Sequence, residues 1–455
     1  MKIKIVLSPF HRCLSKKFFT IGVISIIFLM MGTSFVSSLA QTVEQKFTQQ
    51  TMALDGQILF APMYSMKTYL IDNTGVVNHQ WSSSYCPGES VRWLGNRTIL
   101  RTIKTELSGW GGDGGGVQKI LWDGTITWEF IYDTSEYISH HDVMPLPNGN
   151  VLLIAWENKT RAEAITAGHN PNSLLGNMLM IDKIIEVKPT GPTSGDIVWE
   201  WHVWDHLIQD YDSSKINYGI VADHPELIDI NYIDDAIFTD MLHTNSIDYN
   251  ETFDQILLSA CYFSEVWVID HSTTTAEAAS HAGGRSGKGG DLLYRWGNPE
   301  AYRAGTESDQ KLFYQHDTTW IKAGCPGEGN ILVFNNGKDR PGGRYSSIDE
   351  ITPPMDENGE YYLEPGSAYG PTAQTWIYTA NPPGSFYSSK FSGAERLPDG
   401  NTLICNGEKG IFFEVTPTGT TVWTYTNPYP MIGGNQVFKI VYIPQKNYQN
   451  RKILI

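Results

Sequence analysis

Cysteine is scarce in this sequence. There are five in 455 residues, at positions 13, 86, 261, 325 and 405, and no two are close. That spacing argues against a ribbon- or finger-type zinc site. The four cysteines beyond the first 40 residues allow three full disulfide pairings, or they stay as buried thiols. Positive charge is also in short supply: 33 Lys and Arg face 49 Asp and Glu, for a net charge of −16. The first 40 residues hold five of the basic side chains and no acidic one, so the remainder carries −21. A surface this acidic argues against nucleic acid as a partner. It also repels anions, so an anionic substrate would need a local nest of donors.

The long apolar run at 18–36, "FFTIGVISIIFLMMGTSFV", follows a basic start (Lys2, Lys4, Arg12, Lys16, Lys17) and precedes the small residues "SSLAQ". This is the order of an export signal, with cleavage expected after Ala40. At about 19 residues the run is also long enough to stay as a membrane anchor. Residues 1–40 are therefore expected to be an export signal or N-terminal anchor, and 41–52 a linker. The body would then work outside the cytoplasm: periplasmic, extracellular or held at the outer face of a membrane.

Aromatic residues and turn formers are plentiful: Trp 14, Tyr 23, Phe 18, Gly 43 and Pro 23. They favour an all-β protein. A turn followed by a short apolar strand occurs six times: "DGQILF" (55–60), "LGNRTILR" (94–101), "PNGNVLLIA" (147–155), "FDQILLSA" (253–260), "GEGNILVFN" (327–335) and "PDGNTLICN" (398–406). Asn-Gly and Asp-Gly supply the positive φ angles of tight hairpins. After each copy comes a strand, a polar turn and a strand ending at or near Trp, as in "KILWDGTITWEF" (119–130) and "IFFEVTPTGTTVWTY" (411–425). Six units of about four strands predict a six-bladed β-propeller over 53–445. Short helical insertions are expected in 155–183 and 205–242, one of them opened by Pro225 and Glu226. The run "VFKIVYI" (437–443) is expected to close the ring, and 446–455 to form a tail. Two stacked β-sandwiches are the alternative. Six in-phase units fit a closed ring better.

In such a ring the segment ahead of each turn is equivalent from blade to blade. His141, His243 and His316 occupy that position in blades three, four and five, which predicts three imidazoles at one end of the channel. Strict alternation along a strand puts Asn245 inward with His243 and Thr244 outward. It also turns Asp142 and Asp317 away from the histidines they follow, and His140 away from His141.

The combination "HDVMPLPNGN", "HTNSIDY", "QHDTTW" with "NILVFNNG", and "RLPDGNTLI…FFEVTPTG" resembles the arylsulfotransferase family, whose members transfer sulfate between aryl esters and phenols without a nucleotide donor. The resemblance covers roughly 53–445. It implies a transferase with an aryl sulfate donor, a phenolic acceptor, no cofactor and no metal. It implies a covalent sulfohistidine on His316, from the "QHD" motif, and a His-x-Asn pair at His243 and Asn245. The first channel histidine corresponds to His141. The chemistry suits these residue types: neutral imidazole is a good nucleophile near neutral pH, and positioned donors stabilise the peripheral sulfuryl oxygens. We expect His243 and Asn245 to be those donors, and His141 to protonate the leaving oxygen and later deprotonate the acceptor.

One feature departs from the family. An arginine is expected after His-x-Asn, in an "SSR" context, where this chain has "SAC" and Cys261. A thiol cannot replace a forked cation. Arg92, Arg101, Arg340 and Arg344 are the candidates to substitute from other blades. Two other functions fit parts of the same sequence: a non-catalytic exported propeller that binds a ligand or partner through loops such as "YCPGESVRW", and a zinc or copper site on the three histidines. The oligomeric state is open.

Overall fold

The computed structural model describes residues 55–105, 112, 114–174, 176–233 and 239–445. The expected export segment, the linker and the tail lie outside them. No helix among the described residues is long and apolar enough to cross a membrane.

Six four-stranded antiparallel sheets form the blades of a propeller. From the inside outward, blade one is Val437–Pro444, Gly56–Pro62, Lys67–Asp72 and Val77–Ser82. Its innermost strand is thus the C-terminal one, paired from Gly56↔Pro444 to Pro62↔Val437. The expected closure is in place, and stacked sandwiches are excluded. Blades two to six start at their innermost strands: Pro87–Trp93, Tyr137–Pro145, Thr244–Asn250, His316–Trp320 and Gly393–Arg396.

The repeated sequence signals have physical causes. In "PNGN" and "PDGN" the glycines adopt φ of 89° (Gly149) and 92° (Gly400), a region that L side chains rarely enter. The asparagine that follows turns its amide onto a glutamate of the third strand, in Asn150–Glu186, Asn330–Glu350 and Asn401–Glu414. The outer-strand tryptophans tie the blades together. The indole N–H groups of Trp81, Trp128 and Trp199 donate to Leu121 O, Ser194 O and Thr273 Oγ1 of the next blade, at 3.0, 3.0 and 3.1 Å. Those of Trp296, Trp376 and Trp423 donate to Pro371 O, Pro417 O and Asn73 O at 2.7, 2.8 and 2.8 Å. Every blade junction carries one such bond.

Between Val151–Thr160 and Met178–Gly191 sits a six-residue helix, Arg161–Thr166, whose N-terminus has a Thr160/Glu163 capping box. In the second insertion the helical turn lies at Val221–Asp223, and Pro225 falls in the turn that follows. The expected helix start was therefore a few residues late.

Strict alternation fails on the inner strands. The pairing register slips between Ser139 and Val143, between Thr244 and Ile247, and between His316 and Thr319. His141, His243 and Asp317 take φ of 51°, 53° and 47°. A bulge of this kind re-aims successive side chains. As a result Asp142 and Asp317 do not turn away but converge on Lys439 of the closing strand, at 2.6 and 3.1 Å. Asp142 also accepts from Arg92 at 2.8 Å, Ser90 Oγ at 2.6 Å and Ile247 N at 3.2 Å, while Asp317 accepts from Ala394 N at 3.1 Å. This buried ionic hub touches all six blades.

Burial pushes the Asp142 carboxyl upward, but Arg92 and Lys439 outweigh it and hold the pKa below its usual value. A depressed carboxyl stabilises the fold above the unfolded pKa of about 3.9 and loses that contribution as pH falls through the folded value. Lys439→Met leaves the two carboxylates short of a cation and is expected to cost about 3–5 kcal/mol. Denaturant midpoints at pH 7 measure this. An unchanged midpoint would contradict the hub's role.

Candidate active site

His141 lies within the innermost strand of blade three, His243 immediately precedes that of blade four, and His316 opens that of blade five. The structure brings all three into the wall of one cavity of about 370 Å³, together with Glu89, Cys261 and Tyr262. The rings of His141 and His243 are 4.6 Å apart, centroid to centroid. Phe438 of the closing strand lies 5.9 Å from His141 and 6.2 Å from His316. Closing the ring therefore also packs an aromatic side chain against two of the three imidazoles.

His316 is held by Asn336. The Nδ2 group of Asn336 donates to Ser388 O and Phe391 O at 2.9 and 3.0 Å, which turns Oδ1 toward His316 Nδ1 at 2.8 Å. An amide oxygen only accepts, so Nδ1 carries the proton and Nε2 keeps its lone pair. Burial, with a contribution from His243, lowers the His316 pKa to about 4. The ring is thus neutral and nucleophilic at any ordinary pH.

The other two histidines are driven apart. Burial depresses His243, but the Asp240 carboxylate, 2.6 Å from Nδ1, outweighs it, and the pKa is raised. Tyr262 stacks on the same ring at 4.8 Å. His141 is pushed well below its usual value, first by burial and then by His243 and His140. His140 does not face away as expected. Its Nδ1 lies 2.7 Å from His141 Nδ1, its Nε2 lies 3.2 Å from Asp182 Oδ1, and its ring stacks on Trp156 at 3.8 Å. His140 Nε2 and Asp182 Oδ1 stand at ion-pair distance without hydrogen-bond geometry. One proton is shared between the Nδ1 atoms of His140 and His141, and His141 Nε2 lies 3.9 Å from Glu89 Oε2.

Asn245 is not among the residues that line the cavity. It is fully buried between blades, and its amide donates to Gln315 O at 2.8 Å, next to His316. The bulge after Thr244 is again the reason. Among the described residues no arginine lines the cavity. Arg92 is bound into the hub, the buried Arg101 donates to Tyr85 O, and Arg340 packs on Phe313 and Tyr345. Cys261, Cys325 and Cys405 are buried free thiols. The donor atoms that converge tightly enough for an ion, among the described residues, are those of His206, His281 and Asp291, not those of the channel histidines.

A family model of arylsulfotransferases (ASST) matches residues 39–442, most of the chain. The chain belongs to the arylsulfotransferase family. Membership makes it a transferase that handles small aryl donors and acceptors. No curated protein matches the chain. Solved structures similar to it include a protein of unknown function from Bacteroides caccae, at 14% identity and TM-score 0.46 over 86% of this chain and 99% of that one. A virginiamycin B lyase from Staphylococcus aureus is similar at 10% identity and TM-score 0.36, over 85% and 89%. Likeness at this level says nothing about chemistry.

Several residues of this arylsulfotransferase site escaped sequence reasoning. Glu89 sits in blade two at the phase of His141, so the repeat itself marked it. Asn336 lay inside the "NNG" already counted in the motif. Gly112 comes from the glycine-rich loop. A Cβ there would stand 1.9 Å from the His141 ring, and its carbonyl accepts from His141 N at 2.9 Å. Asp240, Tyr262 and Phe438 left no periodic mark.

Asn336→Ala frees the His316 ring and is expected to lower transfer about 10²-fold. Asn336→Asp places a carboxylate on Nδ1 and raises the His316 pKa from about 4. The acid limb of the rate profile then moves toward neutral pH, a change that a merely structural role for Asn336 would not produce.

Proposed function

We propose that the protein is an exported aryl-sulfate sulfotransferase, independent of nucleotide donors, that works through a sulfohistidine on His316. The observation that carries this is the His316 ring itself: buried, neutral and tautomer-locked by Asn336, with Nε2 as the free nitrogen in the cavity wall. Nε2 attacks the sulfur, the S–O bond to the aryl group breaks, and the electron pair leaves on the phenolic oxygen. In the second half-reaction the oxygen of another phenol attacks the sulfur, the N–S bond breaks, and the electron pair returns to Nε2.

The split between His141 and His243 assigns the protons. Two titratable groups pushed in opposite directions mark an acid and a base. His243, held protonated beside Asp240, gives its proton to the departing phenolate. His141, held neutral by burial and by the neighbouring His243 and His140, takes the proton of the acceptor phenol and returns it to His243, whose ring centre lies 4.6 Å away, so that the starting charges are restored. This revises the roles expected from the sequence, where His141 served for both. Tyr262 and Tyr314 offer aromatic walls to the aryl ring. Asn245 acts as a positioning residue for the Gln315–His316 backbone. The export reading rests on residues 1–40 alone.

Transfer from 4-nitrophenyl sulfate to phenol without a nucleotide tests the reading, with His316→Ala expected to be inactive. His243→Gln discriminates the proton assignment. Phenyl sulfate, whose leaving group has a pKa of about 10, should lose about 10²–10⁴-fold in rate. 4-Nitrophenyl sulfate, with a far better leaving group, should lose much less. Equal losses on both donors would refute the role of His243.

A further inference from the structure

The site must draw a sulfate ester into a protein whose body is strongly acidic, and its wall contains Glu89 as well. The cationic side chains that line the cavity are Lys104, Lys338 and Lys390. Lys390 is exposed, and Lys104 is at the edge of the loop around Gly112. Lys338 stands apart on three counts. It is half-buried, it forms no ion pair with the described residues, and it sits two positions after Asn336.

The chain path explains its position. Gly337 takes φ of 74°, and a Cβ there would lie 1.8 Å from Tyr345 O. Its N–H donates to Phe313 O at 3.0 Å. This straps the Asn336–Lys338 turn against the segment leading into His316. Lys338 Nζ then lies 4.1 Å from the centre of the Tyr314 ring, while Tyr314 O accepts from the His316 ring. Burial pushes the Cys261 thiol up, and Lys338 is near enough to oppose that push. Cys261 is where an arginine was expected. The small thiol leaves room, and the flexible lysine reaches toward the same part of the wall from the neighbouring blade.

We propose that Lys338 is the cation that binds the sulfuryl oxygens of the aryl sulfate, in place of an arginine at position 261. This rests on the sulfotransferase reading above. A lysine is a point charge with rotatable donors rather than a planar fork, and its seat on an aromatic face keeps it oriented without a carboxylate to neutralise it. Lys338 also lines a second cleft of about 600 Å³, shared through Tyr262 and Tyr314, so it stands at the passage between the two spaces.

The test uses the inactive His316→Ala protein, so that binding is read without turnover. Calorimetric titration with 4-nitrophenyl sulfate should show Lys338→Met in that background weakening binding about 10–100-fold. Lys338→Arg should stay within a few fold, and the uncharged 4-methoxynitrobenzene should bind both proteins equally. In the otherwise native enzyme, Lys338→Met should lose activity, and Cys261→Arg added to it should restore a large part. Unchanged affinity for the sulfate ester in Lys338→Met would overturn the proposal, as would equal weakening for the uncharged probe. A native protein that binds the ester through Lys338 but never transfers sulfate would refute the transferase reading while upholding the anion site. Melting temperatures of all variants check that they fold.

Discussion

Lys439 lies buried between Asp142 of blade three and Asp317 of blade five, with Arg92 of blade two completing the group. Everything else in the channel depends on this contact. Lys439 comes from the last strand of the chain, so the hub forms only when the ring has closed. Burying such charges is costly unless each is paired and hydrogen-bonded, and here backbone N–H groups from blades three, four and six complete the carboxylates. Each of the two aspartates directly follows a channel histidine. Fixing the aspartate below fixes the histidine above, and Phe438, next to Lys439, packs against two of the three imidazoles.

From that frame the chemistry follows by differential environment. Three like side chains within one small cavity are given three characters. A neutral amide faces His316, a carboxylate faces His243, and a second imidazole backed by Asp182 faces His141. Each partner arrives from a different stretch of chain, and each sets a tautomer or a charge. The left-handed φ of His141 and His243 is strain of the kind that persists where surrounding structure over-determines it. The bulges at His141 and His316 let a histidine and the aspartate after it both reach the interior.

The propeller was legible because its signals repeat. The outer tryptophans recur at every blade junction, the Asn–Glu pairs in three blades and the Asn-Gly or Asp-Gly turns in several, and repetition raises weak local patterns above noise. The gathering of His141, His243 and His316 followed from phase alone. What periodicity could not reveal was anything that breaks it. The bulges overturned the alternation argument for Asp142, Asp317, His140 and Asn245, since one or two residues inserted in the pairing re-aim the side chains within the bulge. Lys338 was hidden for a different reason. It substitutes in space, not in sequence, for a residue expected on another blade.

The central claim is that His316 Nε2 is the nucleophile. The direct measurement is the mass of the peptide containing residue 316 after brief mixing with an aryl sulfate and no acceptor, quenched at alkaline pH to preserve a phosphoramidate-like N–S bond. The account predicts a gain of about 80 Da, one sulfuryl group, on His316, removed when phenol is added before the quench. Phenol release with no adduct, or an adduct on another residue that phenol discharges at the turnover rate, would contradict it.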